Sequence, residues 1–244
     1  MASLHWTKLN PTVKIQDTRK KFFNKFLYKA DVYLPAGELI RNTKFTDMKF
    51  LLEQRASWHG RNINYGGSWF GSGPVHGLSK SIENAQLSQL EYWRDCLKLP
   101  GYQFRVEEPL ISIYSNNEQA LYKLVANQPG SNMLHRLFKP ISTTATEALD
   151  RGEIILKKST EYNYRIYLKE GKISADVAEA LYQLLTNQGD DVKMTKSCSA
   201  NLISRRYWFT STYFYTKSLD VLTMINLISP DVVSGFFKVV YMPE

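Results

Sequence analysis

Residues 113–129 read IYSNNEQALYKLVANQP, and residues 214–230 read FYTKSLDVLTMINLISP. The two stretches align without a gap, and Tyr114 falls on Tyr215. Self-similarity at a fixed offset is the sign of a structural unit that is used more than once. The alignment therefore predicts one small α/β unit in two copies, and the elements that flank the two stretches should also recur.

The second half of the chain predicts six elements in the order βαββαβ. These are a strand at 162–169, a helix capped by Ser174 that runs to about Gln188, strands at 191–202 and 206–216, a helix between Ser218 and Pro230, and a strand at 235–242. This order is typical of the ferredoxin-like fold, in which helices cover one face of a four-stranded antiparallel sheet.

The first half predicts the same order with an interruption. Strands are predicted at 28–34, 103–106, 110–115 and 135–139, and helices at 46–55, 79–97 and after a cap at Asn116 or Asn117. We therefore predict an α+β protein of two tandem ferredoxin-like (βαββαβ) units, the first with a Gly- and aromatic-rich insertion. The predicted ranges are a basic N-terminal arm at 1–27, unit 1 at 28–140 with its insertion at about 56–100, a linker at 141–160, and unit 2 at 161–244.

Composition is that of a soluble globular protein: of 244 residues, 43% are hydrophobic and 22% are charged. No apolar run reaches the roughly 18 residues that a membrane span needs, and the first residues lack the apolar core of a secretory signal. The cysteines Cys96 and Cys198 lie far apart in unlike contexts, which predicts two buried thiols. The expected protein is cytoplasmic, in a reducing compartment, not secreted and without a membrane partner.

Positive charge is concentrated at the N-terminus. The net charge is +8, and residues 1–30 contain seven Lys and Arg against one Asp. A basic segment of this kind favours a polyanion such as nucleic acid as partner, through Arg19, Lys20, Lys21 and Lys25. The alternative is that these four side chains are the solvated face of a short helix whose apolar face is Phe22, Phe23, Phe26 and Leu27.

The segment Tyr65–Gly77 contains five of the 13 glycines together with three aromatic residues. It does not match a phosphate-binding P-loop, because Gly77 is followed by Leu78-Ser79-Lys80 instead of Lys-Ser/Thr. It also lacks the dinucleotide-binding spacing and a Gly-x-Ser-x-Gly nucleophile turn. A recognition loop and a purely structural loop remain the two interpretations.

The four histidines predict no metal site, because none is spaced from another His or a Cys as metal ligands are. We expect neither a metal nor another cofactor. A metal-independent nuclease needs only one His to transfer a proton, and His59 or His76 could serve in that role. The alternative for both is an ordinary exposed or buried histidine.

The predicted open face of the second sheet favours nucleic acid, because aromatic side chains there can stack bases while Arg and Lys hold phosphates. The candidate residues are Arg165, Tyr167 and Lys169 on the first strand, Arg205, Arg206 and Tyr207 on the third, and Arg61 in the insertion. The segment Ile166-Tyr167-Leu168 resembles the first-strand signature of RNA-recognition modules. Residues 206–213 lack the glycine of their second signature, so the chain is not assigned to that family.

These patterns predict a non-catalytic nucleic-acid-binding protein, with RNA or single strands preferred over duplex DNA. One alternative is a metal-independent RNA-processing endonuclease on paired ferredoxin-like domains, as in the CRISPR repeat-cleaving proteins, although their Gly-rich C-terminal loop is missing here. Another is a viral or phage-like structural protein. In that case the aromatic sheet faces would be contacts of a homo-oligomer.

Overall fold

The structure, a computed structural model, describes residues 6–34, 37–41, 48–50, 84–107, 109–130, 133–204, 208–209 and 212–243. The chain divides into two compact units. The first consists of Met1–Thr18 and Phe22–Pro140, and the second of Arg19–Lys21 and Ile141–Glu244. Each unit contains a five-stranded mixed sheet together with helices, so the protein belongs to the α+β class.

The first sheet has the spatial order β1-β5-β2-β4-β3. Its strands are β1 (Lys14–Asp17), β2 (Tyr28–Tyr33), β3 (Tyr102–Glu107), β4 (Leu110–Ser115) and β5 (Leu134–Lys139). β1 runs parallel to β5, and the other neighbouring strands are antiparallel. The strands predicted at 28–34, 103–106, 110–115 and 135–139 are confirmed, whereas the sequence analysis did not predict β1.

Helices cover one face of the first sheet. They are α1 (Trp6–Leu9), α2 (Asn84–Cys96) and α3 (Glu118–Ala126), with a 3-10 turn at Gly37–Arg41 and helical residues at 48–50. The predicted cap is confirmed, because the Asn117 side chain accepts a hydrogen bond from the Ala120 amide at 2.9 Å. The helices α2 and α3 pack on alternate residues of the strands. The fully buried side chains at this contact include Leu90 and Trp93 of α2, Leu121 and Val125 of α3, and Ala30, Val32, Ile111 and Ile113 of the strands. Since successive strand residues point to opposite faces, the other face lies outside this core.

The second sheet has the spatial order β6-β12-β7-β11-β9. Its strands are β6 (Ile154–Leu156), β7 (Tyr164–Leu168), β9 (Val192–Met194), β11 (Thr212–Thr216) and β12 (Val233–Tyr241). β6 runs parallel to β12, and the remaining pairs are antiparallel. A separate two-stranded ribbon joins β8 (Gly171–Lys172) to β10 (Trp208–Phe209).

The helices of the second unit are α4 (Thr143–Asp150), α5 (Ala175–Asn187), α6 (Lys196–Ile203) and α7 (Asp220–Ile228), with a 3-10 turn at Gly189–Asp191. Ser174 caps α5 as predicted, because its hydroxyl accepts from the Val177 amide at 3.3 Å. Gly189 follows this helix with a φ of 53°, in the left-handed region that glycine tolerates best. The core again joins helix and strand residues, among them Ala178, Leu181, Ile225, Ile166, Leu168 and Phe214.

The pairing register of the first sheet recurs in the second. β2 pairs with β4 so that Tyr28 lies opposite Ser115, and β7 pairs with β11 so that Tyr164 lies opposite Thr216. The last strand of each sheet carries a β-bulge, whose extra residue is His135 in β5 and Ser234 in β12. Both bulges lie beyond the fourth residue of the central strand. A bulge interrupts the hydrogen-bond ladder and is kept where it has a structural use, so its recurrence is a specific likeness between the units.

The turn that follows the third strand of each unit also recurs. In the first unit, the Ser115 hydroxyl accepts from the Asn117 amide at 3.1 Å and donates to the Asn117 carbonyl at 3.4 Å. In the second, the Thr216 hydroxyl accepts from the Ser218 amide at 3.3 Å and donates to its carbonyl at 2.8 Å. Ser115 and Thr216 are aligned in the repeated sequence, and both are buried. The sequence likeness therefore extends to one buried hydroxyl with the same two partners.

The prediction of a strand at 191–202 is wrong, because β9 ends at Met194 and α6 begins at Lys196. The Thr195 hydroxyl accepts from the Cys198 amide at 3.2 Å and so caps the helix. Cys198 and Leu202 are four residues apart and both enter the core, as one helix face requires. The alternation read at 192–198 therefore fits a strand only over its first residues.

Two other segments differ from their prediction. Residues 141–160, predicted as a linker, contain α4, capped by Ser142, and the edge strand β6. The alternative of a helix at the N-terminal basic residues is wrong, since residues 22–26 form a turn closed by a bridge between Phe22 and Phe26. Phe23 and Asn24 adopt φ angles of 53° and 55°, which a right-handed helix excludes.

Several predictions fall on residues outside the described ranges. These are most of the helix at 46–55, the Gly-rich segment Tyr65–Gly77, and the start of the helix predicted at 79–97. Within the described ranges, no helix is long and apolar enough to cross a membrane.

A buried carboxylate lies at the centre of the first sheet, on the face opposite to the helices. Asp31 is fully buried, and its oxygens lie 2.9 Å from Lys29 Nζ and 2.9 Å from Arg136 Nε. The contact with Arg136 is an ion pair without the alignment of a hydrogen bond. The Ser112 hydroxyl donates to Asp31 at 2.6 Å. The single negative charge of Asp31 therefore pairs with two cations in a region that excludes water.

Replacing this carboxylate should destabilise the first unit strongly. Asp31→Ala leaves Lys29 and Arg136 side by side without a counter-charge, and breaking a buried ion pair from one side costs about 3 to 5 kcal/mol. Equilibrium unfolding in urea measures the change. Glu107→Ala, which removes an exposed ion pair with Arg105 on the same sheet, is the matched control and should cost less than about 1 kcal/mol. Equal effects of the two substitutions would show that the buried pair contributes nothing special.

Candidate nucleic-acid interface

The outer face of the second sheet, which turns away from α5 and α7, is covered with aromatic and basic side chains. Alternation places Arg165 and Tyr167 of β7 on this face, because their neighbours Ile166 and Leu168 are fully buried in the core. By the pairing register, the row across the face is Lys193, Tyr215, Arg165 and Phe237. Tyr213 lies opposite Tyr167 in the next row.

Arg165 lies at the centre of this face and is surrounded by tyrosines. Its guanidinium carbon is 4.5 Å from the ring centroid of Tyr213 and 4.9 Å from that of Tyr215. Its terminal nitrogens donate to the hydroxyls of Tyr167, at 3.2 Å, and of Tyr215. Its Nε is buried and has no hydrogen-bond partner. The guanidinium is thus held in one orientation by aromatic neighbours, with no carboxylate among them.

Lys20 covers two rings of the same face. Its Nζ lies 4.0 Å from the ring centroid of Tyr167 and 4.1 Å from that of Phe237, close enough for cation–π attraction to both. Burial lowers the pKa of Lys20 below its ordinary value, and the positive charge of Arg165 lowers it further. The second cause shows that the two cations repel each other. Lys20 therefore adds a partly desolvated positive charge to the one that Arg165 supplies.

The rings of the outer face pack against each other. Tyr167 lies 5.4 Å from Tyr213 and 5.7 Å from Phe237 between centroids, and Tyr213 meets Tyr215 edge to face at 5.6 Å. All four rings are half-buried. Such packing makes the cluster rigid, but it leaves only part of each ring for a ligand.

Acidic side chains of the second unit pair elsewhere. Lys217 lies between Glu161 and Asp191, Glu153 meets Arg151 and Lys238, and Asp150 meets Lys21. Among the described residues, no carboxylate forms an ion pair with Lys20, Arg165 or Lys193. The outer face therefore has three positive charges that the described part of the chain does not balance.

The predicted binding residues separate into distinct groups. Of the predicted residues that the structure describes, Lys20, Arg165 and Tyr167 come together on the outer face. Lys21 forms an ion pair with Asp150 at 2.7 Å, and Lys25 lies 5.0 Å from the ring of its neighbour Phe26. The backbone carbonyl of Arg19 accepts from the Ile155 amide at 2.9 Å, in line with the edge of β6. The basic arm is therefore partly built into the fold.

Lys169 does not join the outer face. It follows the last residue of β7, and its amide donates to the Val232 carbonyl at 2.7 Å. Its side chain lines a separate cleft of about 340 Å³ together with Glu170, Ser174 and Asp231. Positive and negative groups are both present there, so the cleft has no preference for anions.

The remaining predicted residues lie outside the described ranges: His59, Arg61, His76, Arg205, Arg206 and Tyr207. Sequence reasoning did not select Lys193, Tyr215 or Phe237 as part of the cluster. The alignment of Tyr215 with Tyr114 was a usable signal for one of them. The places of Lys193 and Phe237 in the cluster depend on the register of β9 and β12 with their neighbours, which the sequence analysis did not predict.

Nucleophilic and metal-binding groups are not prominent in the described residues. Burial raises the pKa of Cys198 to about 12 and also raises that of Cys96, so both thiols stay protonated at neutral pH. In the described ranges, no three or more His, Cys, Asp and Glu side chains are grouped so that they could hold a metal ion.

The geometry predicts the titration of Lys20. Its pKa, measured by NMR on its side-chain carbons, should lie below the ordinary 10.5 of lysine. Because the folded protein then releases this proton more easily than the unfolded chain, this group disfavours folding at neutral pH, and that penalty disappears as the pH rises toward 10.5.

Arg165→Met should raise the pKa of Lys20, since it removes the neighbouring positive charge. Lys193→Met is the control, because Lys193 lies on the same face and is not among the charges that act on Lys20. A wild-type pKa at or above 10.5 would contradict the described burial of the ammonium group.

Comparison of the chain with protein-family models, with curated proteins and with solved structures gives no match. The function must therefore be argued from the chemistry of the outer face itself.

Proposed function

We propose that both units are ferredoxin-like and that each has one strand added at the edge. Support comes from the four strands β2, β3, β4 and β5, whose spatial order fourth-first-third-second is the order of a split βαβ sheet. Strands β7, β9, β11 and β12 have the same order. In each unit the added strand precedes the first of the four and runs parallel to the last.

We propose further that the protein binds nucleic acid without catalysis, with RNA or single strands preferred. The observation that supports this most is the outer face of the second sheet. Lys20 and Arg165 lie against its aromatic rings, Lys193 lies opposite Tyr215, and no carboxylate among the described residues pairs with these three cations. Phosphates require positive charge, and aromatic rings favour unpaired bases over the base pairs of a duplex.

The arrangement favours charge over stacking as the main source of affinity. Lys20 occupies the ring faces of Tyr167 and Phe237, and the other rings are half-buried against each other. A bound strand would gain less from stacking than on fully open rings, which contribute about 1 to 3 kcal/mol per base. Affinity should therefore depend strongly on salt and weakly on base sequence.

The test is binding of fluorescent single strands of about 12 nucleotides, RNA and DNA, with a duplex for comparison. Three neutralised phosphates predict a slope of about −2 when log K is plotted against log salt concentration for single strands. Replacing Lys20, Arg165 and Lys193 together by Gln should reduce the slope to near zero. Absent or salt-independent binding would refute the proposal.

A second triple variant controls for net charge. Lys98, Lys123 and Lys158 are exposed, belong to none of the strands that form the outer face, and lose the same three charges when replaced by Gln. This variant should keep most of the slope. If it behaves like the first variant, the protein binds through its overall charge and not through the outer face. Cleavage of the RNA probe in the presence of a chelator would instead support the endonuclease alternative.

A further inference from the structure

The two sheets present the same cation–aromatic row at equivalent positions of the strand register. In the first sheet, Tyr114, Lys29 and Phe138 lie opposite one another on β4, β2 and β5. In the second sheet, the corresponding row is Tyr215, Arg165 and Phe237. Lys29 Nζ lies 5.0 Å from the Phe138 ring, and the Arg165 guanidinium lies 4.9 Å from the Tyr215 ring. Each unit thus places a cation between a tyrosine and a phenylalanine.

The next row of the strand register contains a carboxylate in the first sheet and none in the second. In the first sheet it contains Asp31, whose carboxylate pairs with Lys29 and Arg136. The register places Tyr167 of the second sheet at the position of Asp31. The second sheet therefore keeps the cation and lacks the carboxylate that neutralises its counterpart.

The first sheet is also covered on this side by its own chain. Phe22 packs on the rings of Tyr114 and Phe138, and Phe23 packs on Tyr114 at 4.9 Å. In the second sheet, the rings equivalent to Tyr114 and Phe138 are those of Tyr215 and Phe237. The Lys20 ammonium group lies over the Phe237 ring. A phenylalanine cover and an internal carboxylate make the first face structural. On the first face Asp31 lies between the two cations Lys29 and Arg136, whereas on the second face no described carboxylate pairs with Lys20 or Arg165.

Two adjacent cations in a half-buried setting are unfavourable unless an anion joins them. Within the part of the chain that the structure describes, Arg165 and Lys20 have aromatic neighbours and no counter-ion, and Arg165 Nε has no hydrogen-bond partner. A tetrahedral oxyanion with several acceptor oxygens could use the guanidinium of Arg165 and the ammonium of Lys20 together.

We propose that Lys20 and Arg165 form a phosphate-binding site on the second sheet. The bound phosphate would supply the negative charge that the Asp31 carboxylate supplies on the first sheet. The inference rests on the proposed function, which makes the ligand a phosphate of a nucleic-acid backbone. A free phosphate or a terminal phosphate group has the same chemistry, so the experiment must separate these sources.

Binding at this site can be blocked by introducing a carboxylate where the first sheet has one. Tyr167→Asp introduces a carboxylate at the position equivalent to Asp31, beside both cations, and should weaken binding at least about tenfold. Tyr167→Phe is the matched control, since it keeps the ring beneath Lys20 and loses only the hydroxyl; its binding should stay within about threefold of wild type. Lys20→Gln provides a second variant that removes a partly exposed side chain and leaves the strand unchanged.

The measurement is NMR titration of the full chain with three probes: inorganic phosphate, a single-stranded oligonucleotide without terminal phosphate, and the same oligonucleotide with a 5′-phosphate. We expect all three to shift the side-chain signals of Lys20 and Arg165 and to raise the pKa of Lys20, because an anion stabilises the ammonium form. The oligonucleotides should bind more tightly than phosphate, and the 5′-phosphate should add little.

The outcomes separate the site from the proposed function. If Tyr167→Asp and Lys20→Gln bind the oligonucleotides as wild type does, the phosphate site is refuted while nucleic-acid binding elsewhere stands. If phosphate shifts Lys20 and Arg165 but neither oligonucleotide binds, the phosphate site stands and the proposed function is wrong. If none of the three probes shifts these side chains, the site is refuted outright.

Discussion

In the described part of the chain, helices cover one face of each sheet and leave the other without them, and this constraint decides the character of the second face. Alternate residues of β2 and β7 enter the cores, so the residues between them face outward in the middle of a sheet. The centre of a five-stranded sheet is partly dehydrated even without helices above it. Charged side chains at such positions need aromatic or ionic neighbours. Asp31 and Arg165 are two solutions to the same problem at neighbouring positions of the register.

The two solutions have different consequences for a ligand. In the first unit, the Asp31 carboxylate pairs with both Lys29 and Arg136 and leaves one net positive charge, and Phe22 and Phe23 pack on the neighbouring rings. In the second, aromatic rings hold Arg165 and Lys20 but cannot neutralise them. Cation–π contacts contribute only about 0.5 to 2 kcal/mol each, less than a buried charge costs when it is unpaired. A repeated fold can in this way keep one copy for stability while the other offers a surface to an anion.

Much of the fold could be predicted from the sequence, because the relevant signals are local. Periodicity and caps located α3 and α5, and the alignment of Tyr114 with Tyr215 identified equivalent strands. The edge strands β1 and β6 could not be predicted, since they are short and pair in parallel with strands more than 80 residues away. Lys20 was predicted as a binding residue from its charge, but its aromatic neighbours could not be predicted, because they depend on tertiary packing and not on a motif. Arg165 and Tyr167 were found because strand alternation alone places them outward.

The contact of Lys20 with Phe237 joins two residues that stand near opposite ends of the sequence. Translation delivers Lys20 before β12, so a nascent chain without this strand lacks Phe237, one of the two rings that Lys20 covers. Contacts of such long sequence separation also form late when folding begins from local elements. The aromatic and basic cluster of the outer face is consequently complete only after β12 has been synthesised and has paired with β7.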